Sequence, residues 1–417
     1  MIIRRYKNGD EESITDVINR SFGTFNEWGL TPEKWVDYEL IDPGFSRDKA
    51  FVAEEDGKVI GHVQLMKREL NLGTFVLVSG VANVCTDPNF RLHGVATQVL
   101  KEALLDARSW SALSGLDTTY ASGAHRIYRK LGFSPFHFFR RYSGEKWDVE
   151  RAIRRLQRIA GPLEEEVRPF EFQDKTAIEN IYSLNSTRIK GSVRRDHSYW
   201  EGKLFSRNSW QTFFYKGFKA DDLLVLPNRA YAYVDWDAAA RRLTVREALS
   251  LPGDYEGLAA VYLKAFSSRP DLNEIIVVAP EGDPTLDALL ADLYKFRVTS
   301  SFMFSVLDMR SLLSQLKGFG HSSRKNVRIQ VYNDLGFLEP AVVDLGDLAL
   351  APDGAQFDAT LYLHQTTFLR LLAGLENPIS ALEQDRITIS GNSEGIPKAL
   401  KERFSVSPFV LWPSDKW

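Results

Sequence analysis

Residues 81–107 combine a strand, a short turn and a helix that opens on glycine, and this succession constrains the fold more than any other stretch. Residues 81–84 are mostly apolar and lie between Gly80 and Asp87-Pro88, as is typical of a short buried strand. Apolar residues then recur at helical spacing, which predicts a helix that begins between Leu92 and Gly94. They are Val95, Val99, Leu100, Ala103, Leu104 and Ala107.

The turn before this helix has the chemistry of a phosphate site. The first N–H groups of a helix have no partner within it and lie at the positive end of its dipole. Gly94 and Ala96 add little bulk where a ligand must approach the backbone. The pattern is neither a Walker loop, which needs Gly-Lys-Ser/Thr, nor a dinucleotide fingerprint, which needs three glycines. Taken alone, it fits a phosphate-binding turn or simply the start of an amphipathic helix.

Length and composition exclude several classes of protein. A chain of 417 residues predicts two to four domains, and 44% hydrophobic with 26% charged residues is an ordinary globular composition. A net charge of −3 without long basic runs argues against a nucleic-acid surface. The single cysteine, Cys85, excludes an internal disulfide and a cysteine-based zinc site, and the seven histidines show no His-Glu-x-x-His spacing, so we expect no metal.

The first residues become charged after Ile3, so we expect no secretory signal, which needs an apolar core. No apolar run reaches the ~18 residues that a membrane span needs. We therefore expect a cytoplasmic protein.

Two patterns in the first 145 residues resemble one enzyme superfamily. Arg91-x-x-Gly94-x-Ala96 after a strand is similar to the pyrophosphate loop of the GNAT superfamily of acetyl-CoA-dependent N-acetyltransferases. About 30 residues later, a helix from residue 121 ends in residues 127–133, Ile-Tyr-Arg-Lys-Leu-Gly-Phe, which resembles the second GNAT signature, a tyrosine-bearing turn before a final strand. Asp56-Gly57 between apolar runs predicts a hairpin within the same domain.

Residues 146–166 are rich in Arg and Glu and predict an exposed helix and linker. Beyond them, a strand and helix at 167–182 repeat the start of the chain. Strands are predicted at 230–236, 243–248 and 275–278, with a helix at 255–266. No Arg-x-x-Gly-x-Ala occurs in this region, so we predict a second GNAT-like domain without a pyrophosphate loop, and one active site per chain.

The last hundred residues resemble the sterol carrier protein type-two fold. The matching segments are Phe-Leu-Arg-Leu-Leu-Ala-Gly from residue 368, Asn377-Pro378, and Ile-Thr-Ile-Ser-Gly from residue 387. Two acetyltransferase-like domains followed by such a domain resemble the Eis (enhanced intracellular survival) acetyltransferases over essentially the whole chain. The expected fold class is α/β (α+β): tandem GNAT-like mixed-sheet domains at 1–145 and 146–300, then a sterol-carrier-like α/β domain at 301–417.

This resemblance implies the roles of the site residues. The N–H groups of residues 92–97 hold the pyrophosphate of coenzyme A, and residues 84–86 pair with its pantetheine arm. Tyr128 is the general acid for the departing thiolate, the alternative being a tyrosine that packs on the helix below. The expected cofactor-binding residues are Val84, Cys85, Thr86, Arg91, Leu92, His93, Gly94, Val95, Ala96, Thr97, Gly123 and Ala124.

The resemblance also implies that the α-carboxylate of Trp417 enters the first domain's active site as the general base. The apolar, aromatic and proline-rich tail before it fits this role, or a tail that merely packs. His93 is expected to point to solvent, and His62 forms a pocket wall or is structural. Cys85 is expected to be a small buried apolar residue rather than a nucleophile, because direct transfer needs no acyl-enzyme. Glu27, Trp28, Trp35 and Asp37 are candidates for the amine pocket, although aromatic residues on short helices are commonly core residues.

The expected activity is the transfer of acetyl from acetyl-CoA to a primary amine: an aminoglycoside, a polyamine or a lysine side chain. The alternative is a lipid or apolar-ligand carrier that acts through residues 301–405. The resemblance further implies a homohexamer and a small-molecule or lysine-type amine as substrate. From the charge and the hydropathy of the chain, we expect neither nucleic acid nor a membrane as a partner.

Overall fold

The structure is a computed structural model that describes residues 1–119, 122–138, 141–205, 222–269, 271–293, 301–316 and 325–415, without the side chains of residues 28, 138 and 414. The chain divides into two compact units. The first comprises Met1–His137 and Ser300–Val406, and the second comprises Phe138–Thr299 and Ser407–Lys416. None of the helices in the described ranges is long and apolar enough to cross a membrane.

Strands and helices follow one another along the whole chain. The first stretch contains β1 (Ile2–Arg5), α1 (Glu11–Ser21), α2 (Gly23–Trp28), α3 (Pro32–Ile41), β2 (Ala50–Glu55), β3 (Lys58–Asn71), β4 (Phe75–Thr86), α4 (Val95–Ala107), β5 (Leu113–Thr118), α5 (Gly123–Arg129) and β6 (Ser134–Phe138). The middle stretch contains β7 (Tyr142–Glu145), α6 (Lys146–Ala160), α7 (Leu163–Glu166), β8 (Arg168–Pro169), α8 (Lys175–Ser186), a π-helix (Tyr199–Leu204), β9 (Leu223–Leu226), β10 (Ala230–Asp237), β11 (Arg242–Ser250), α9 (Tyr255–Ser267), β12 (Glu274–Val277) and α10 (Pro284–Leu289). The last stretch contains β13 (Ser301–Val306), α11 (Met309–Gln315), β14 (Asn326–Asn333), β15 (Gly336–Phe337), β16 (Ala341–Asp344), β17 (Ala359–His364), α12 (Gln365–Leu372), α13 (Pro378–Glu383), β18 (Ile387–Gly391) and α14 (Ile396–Arg403).

The first unit is built on a mixed sheet with the strand order β1-β2-β3-β4-β5-β13-β6. The predicted hairpin is confirmed, since Asp56 and Gly57 connect the antiparallel strands β2 and β3. The helical stripe of the opening stretch is confirmed as core, because α4 packs its apolar face on this sheet. The buried members of that stripe are Val95, Val99, Leu100, Ala103 and Ala107.

One strand of this sheet comes from beyond residue 300. β13 pairs antiparallel with β5, from Ser301 opposite Thr118 to Val306 opposite Leu113. The sequence boundary at 301 instead assigns this strand to the third domain, whose own sheet has the order β15-β14-β17-β18 and begins at Asn326. An apolar run predicts a buried strand, but it does not identify the sheet that the strand joins.

The second unit contains the sheet β7-β12-β11-β10-β9-β8. Its edge strand β7 pairs with β12, although the boundary at residue 145 assigns it to the first domain. The prediction of an exposed linker is wrong for α6, because this helix buries one apolar stripe in the core formed with α9. That stripe is Val149, Ala152, Leu156 and Ala160; the arginines occupy the remaining faces of the helix.

The tail of the chain packs within the second unit as far as it is described. Phe409 exchanges backbone hydrogen bonds with Glu281, and Trp412 is completely buried. Asp415 is also completely buried, and its carboxylate accepts hydrogen bonds from Arg195 and Tyr199. The tail therefore adds to the core of this unit.

Candidate active site

A cavity of about 340 Å³ lies in the first unit, where the end of β4 faces the beginning of α4 and the last turn of α5. The structure brings together most of the predicted cofactor residues around it, and it adds four residues that the sequence analysis missed. The predicted lining residues are Val84, Cys85, Thr86, Arg91, Leu92, Gly94, Val95, Ala96, Thr97, Ala124 and Tyr128. The additional ones are Ser21, Phe22, Phe90 and Ile127.

Strand β4 opens one edge towards this cavity. It pairs with β3 over most of its length, but its parallel pairing with β5 covers only Val78 to Gly80. Further along, a β-bulge shifts the register with β3 near Asn83, whose φ is +51°. Because strand pairing with β5 ends before the bulge, β5 leaves this edge of residues 84–86 open to an extended ligand, although the Thr86 carbonyl accepts a hydrogen bond from Ser21. The Thr86 hydroxyl is buried there and has no hydrogen-bond partner among the described residues.

The second wall of the cavity is the N-terminus of α4. Gly94 precedes the helix with φ +78° and ψ +7°, a left-handed conformation that glycine adopts without steric cost. The Gln98 N–H is the first in this helix to bond a helical carbonyl, that of Gly94, at 3.1 Å. The N–H groups of residues 95–97 therefore precede the helical hydrogen bonds and lie at the positive end of a 13-residue helix. This end of the cavity is suited to an anion.

Tyr128 forms a third wall from α5, which Ser122 caps through its hydroxyl. Only 8% of the Tyr128 side chain is exposed, and burial, together with the nearby Cys85, raises its pKa to about 12. Its hydroxyl makes no hydrogen bond to any residue that the structure describes. A phenol in this state stays protonated through neutral pH and retains its donor for a ligand.

Cys85 and His62 are uncharged at neutral pH. Burial raises the pKa of the Cys85 thiol to about 12, so it stays protonated and is a poor nucleophile. Burial lowers the pKa of His62 to about 4, although a contact of its Nδ1 with the Asn83 carbonyl at 3.3 Å opposes this shift. Since the His62 ring also packs against Trp35, the structural alternative is favoured for this histidine.

Several predicted residues lie away from the cavity. His93 is exposed, and Gly123 begins α5 without lining the cavity. Among the amine-pocket candidates, Glu27 and Asp37 are exposed and outside the lining, whereas Trp35 is only 3% exposed and packs in the core against Tyr6 and Phe45. The side chain of Trp28 and the whole of Trp417 lie outside the described residues.

The missed lining residues come mostly from the end of α1 and from the loop before α4. Ser21 donates a hydrogen bond to the Thr86 carbonyl at 3.4 Å, which ties α1 to the open end of β4. In the sequence, the only signal was that the helical periodicity of α1 ends at Phe22. Such a signal locates a helix end but does not place it beside a strand that lies 60 residues later.

Elsewhere, in the second unit, Glu179, His197 and Glu201 place their possible ligand atoms within 4.8 Å of one another. Lys175 forms an ion pair with Glu201, so the cluster already contains a cation.

Comparisons with known proteins place these features in two families. Residues 2–136 match a family model described as an acetyltransferase (GNAT) domain, and residues 304–399 match the SCP-2 sterol transfer family. A search of curated proteins found no match.

Solved structures with the same fold extend over nearly the whole chain. A GCN5-related N-acetyltransferase from Anabaena variabilis is similar with a TM-score of 0.68 at 14% identity, covering 99% of both chains. One from Kribbella flavida has a TM-score of 0.65 at 15% identity, covering 98% of this chain and 99% of the other. Eis1 from Mycobacterium abscessus has a TM-score of 0.65 at 16% identity with the same coverage. The two family matches show that the chain contains an acetyltransferase (GNAT) domain at residues 2–136 and an SCP-2 sterol transfer domain at residues 304–399.

Proposed function

We propose that this chain transfers acetyl from acetyl-CoA directly to a primary amine at the cavity between β4, α4 and α5. The observation that carries the proposal is the convergence there of three groups: a strand edge that β5 does not pair, a helix N-terminus, and a tyrosine hydroxyl that bonds none of the described residues. Each supplies something that acetyl transfer needs, namely cofactor alignment, anion binding and a proton donor.

The residues around the cavity fit coenzyme A. Its pyrophosphate carries negative charge, which suits the N–H groups of residues 95–97 and the side chain of Arg91. Its pantetheine arm is extended and amide-bearing, so it can pair with the edge of β4 at residues 84–86. It can also reach the Thr86 hydroxyl, for which the described part of the chain offers no partner. The absence of a bulky side chain at Gly94 leaves the helix terminus accessible.

In the proposed reaction, the amine nitrogen forms a bond to the thioester carbonyl carbon, and the carbon–sulfur bond breaks. An amine that arrives as a cation first loses a proton to a base, because only the neutral nitrogen can attack. The departing thiolate takes a proton from the Tyr128 hydroxyl, and the tyrosinate regains the proton that the nitrogen sheds as it becomes an amide. A backbone N–H of residues 84–86 would stabilise the carbonyl oxygen as it becomes negative. Direct attack agrees with Cys85, whose raised pKa makes an acyl-enzyme through that thiol unfavourable.

We propose the α-carboxylate of Trp417, the last residue of this sequence, as that base. This assignment rests on the resemblance to the Eis acetyltransferases alone, since the described tail, through Phe409, Trp412 and Asp415, packs in the core of the second unit. Removal of Trp417 is expected to lower kcat strongly while it leaves the unfolding temperature almost unchanged. If the shortened chain keeps the full rate, the base is another group.

The acceptor class that we propose is an aminoglycoside, a polyamine or a lysine side chain, each of which presents a primary amine that is cationic at neutral pH. The exposed carboxylates of Glu27 and Asp37 in the first domain offer negative charge to such a cation. By resemblance we also propose a homohexamer, to be measured by light scattering of the purified chain.

The test is a panel of primary amines assayed for free thiol release from acetyl-CoA. We expect at least one amine class to be acetylated, and we expect Tyr128→Phe to lower kcat by about 10²-fold or more while coenzyme A binds as before. Failure of coenzyme A to bind to the intact chain would refute the proposal. Stabilisation by a fatty acyl chain instead of coenzyme A would favour the carrier alternative.

A further inference from the structure

The segment that follows Tyr128 is held by the SCP-2 domain. Arg129 forms an ion pair with Asp334, in the hairpin between β14 and β15, with its Nε 2.8 Å from Oδ2. Three side chains of α12 then bond the next residues. Gln365 donates to the Gly132 carbonyl at 2.6 Å, Thr366 donates to the Pro135 carbonyl at 3.0 Å, and Arg370 donates to the Phe136 carbonyl at 3.0 Å.

Gln365 is the most deeply buried of the side chains that make these contacts, with no exposed surface. Its Nε2 also donates to the Ser134 hydroxyl at 2.7 Å, and its Oε1 accepts from the Val306 N–H at 3.2 Å. One amide therefore joins α12 to the start of β6 and to the end of β13. Replacing it with an apolar side chain leaves buried backbone groups without partners, which is costly in a water-free position.

The segment bonded by Gln365 contacts Tyr128 through backbone hydrogen bonds and ring packing. The Tyr128 carbonyl accepts from the Leu131 and Phe133 N–H groups, at 3.0 and 3.1 Å. Its ring packs edge-on against Phe133, with centroids 6.1 Å apart. Because the Tyr128 hydroxyl makes no hydrogen bond within the described part of the chain, its position depends on helix α5, on this turn and on ring packing.

The turn itself is fitted to the SCP-2 domain. Gly132 has φ +87°, and a Cβ placed on it would lie 3.3 Å from both Asn333 Nδ2 and Leu335 Cδ1. Backbone of the catalytic domain and the β14–β15 hairpin thus meet at a point where no side chain fits without displacement. A shift of the hairpin or of α12 is therefore transmitted to the residues directly behind Tyr128.

We propose that Gln365 is a positioning residue for acetyl transfer, through which the SCP-2 domain fixes the Tyr128 turn. The inference rests on the proposed role of Tyr128 as proton donor. In this role the SCP-2 domain contributes to catalysis without a lipid ligand, because it holds the segment that follows the proton donor.

The test compares Gln365→Leu with a matched control in the full chain. Gln315→Leu is the control, because the Gln315 side chain likewise bonds a backbone N–H, that of Leu77 at 2.9 Å, in the same unit but away from the Tyr128 turn. We expect Gln365→Leu to lower kcat about tenfold with little change in KM for acetyl-CoA, and Gln315→Leu to change neither. If Gln365→Leu does not give folded protein, Thr366→Val removes a single bond to the same segment and is expected to lower kcat in the same way.

The decisive comparison introduces Gln365→Leu into a chain that already carries Tyr128→Phe. If Gln365 acts through the tyrosine hydroxyl, Gln365→Leu costs no further activity once that hydroxyl is absent. Losses that multiply in the double variant, or an unchanged kcat in Gln365→Leu, would overturn the inference while Tyr128→Phe still shows its own loss. If Tyr128→Phe itself keeps its kcat, the proposed proton donor is wrong and the inference ends with it.

Discussion

Gly94→Ala tests the helix-terminus site by separating backbone strain from ligand binding. At φ +78°, a residue with a Cβ costs about 1–2 kcal/mol of stability relative to glycine. Among the described residues, the Cβ would meet only Gln98 Nε2 within 4 Å, at 3.8 Å, so no clash with them adds to this strain. If the backbone relaxes towards negative φ, the N–H groups of residues 95–97 turn away from the ligand. Each charge-assisted hydrogen bond lost to a phosphate costs about 1.5–3 kcal/mol.

We therefore expect Gly94→Ala to weaken coenzyme A binding about ten- to hundredfold, as measured by titration calorimetry on the full chain. Gly29→Ala is the matched control, because Gly29 is also left-handed, with φ +70°, and its Cβ would likewise have open space, with Lys34 Nζ at 3.8 Å. Gly29 does not line the cavity. Both variants should lose similar stability in denaturant unfolding. Equal affinities in the two variants would refute the assignment of the α4 terminus as the phosphate site.

Three further predictions concern buried charges and the thiol. His62 has a folded-state pKa of about 4 against an unfolded value near 6.5. Its contribution to the unfolding free energy is therefore complete above pH 6.5 and falls by about 3 kcal/mol as the pH drops to 4. Denaturant unfolding of a His62→Leu variant should lack this loss. Arg195→Met leaves the carboxylates of Glu247 and Asp415 buried without their shared cation, and should lower the unfolding free energy by about 3–5 kcal/mol, whereas the partly exposed pair disrupted by Arg229→Met should cost less. Cys85→Ala should retain most of the kcat for acetyl transfer in the thiol-release assay, because direct attack needs no thiol; abolished turnover would point to an acyl-enzyme.

Local patterns predicted much of the fold. The spacing of Val95, Val99 and Ala103 identified α4 and its buried face, and Asp56-Gly57 identified the β2–β3 hairpin. The sheet membership of β7 and β13 could not be predicted, because each strand pairs with a partner more than 120 residues distant. The apolar stripe of α6 was obscured by the arginines that alternate with it.

The candidate site, too, could be predicted only where its residues carry a local signature. The turn before α4 and the helix with Tyr128 carry local signatures, so their residues could be named from the sequence. The position of Trp35 on an early helix makes it a candidate for the amine pocket, yet its side chain is core, packed against Phe45 and His62. Gln365 gave no signal, since a glutamine at the start of a helix is typically a surface residue. Its importance arises from a contact with Gly132, 233 residues earlier in the chain.

The place of β13 in the first sheet has a consequence for how this protein is made. A ribosome releases the first 138 residues long before residue 306, so the nascent catalytic domain has a gap between β5 and β6. During that interval, the edge of β5 is exposed and the turn bearing Tyr128 lacks its neighbours from the SCP-2 domain. The catalytic domain therefore completes its fold only after translation has passed the second sheet, and residues 1–145 expressed alone would lack the strand that closes their sheet.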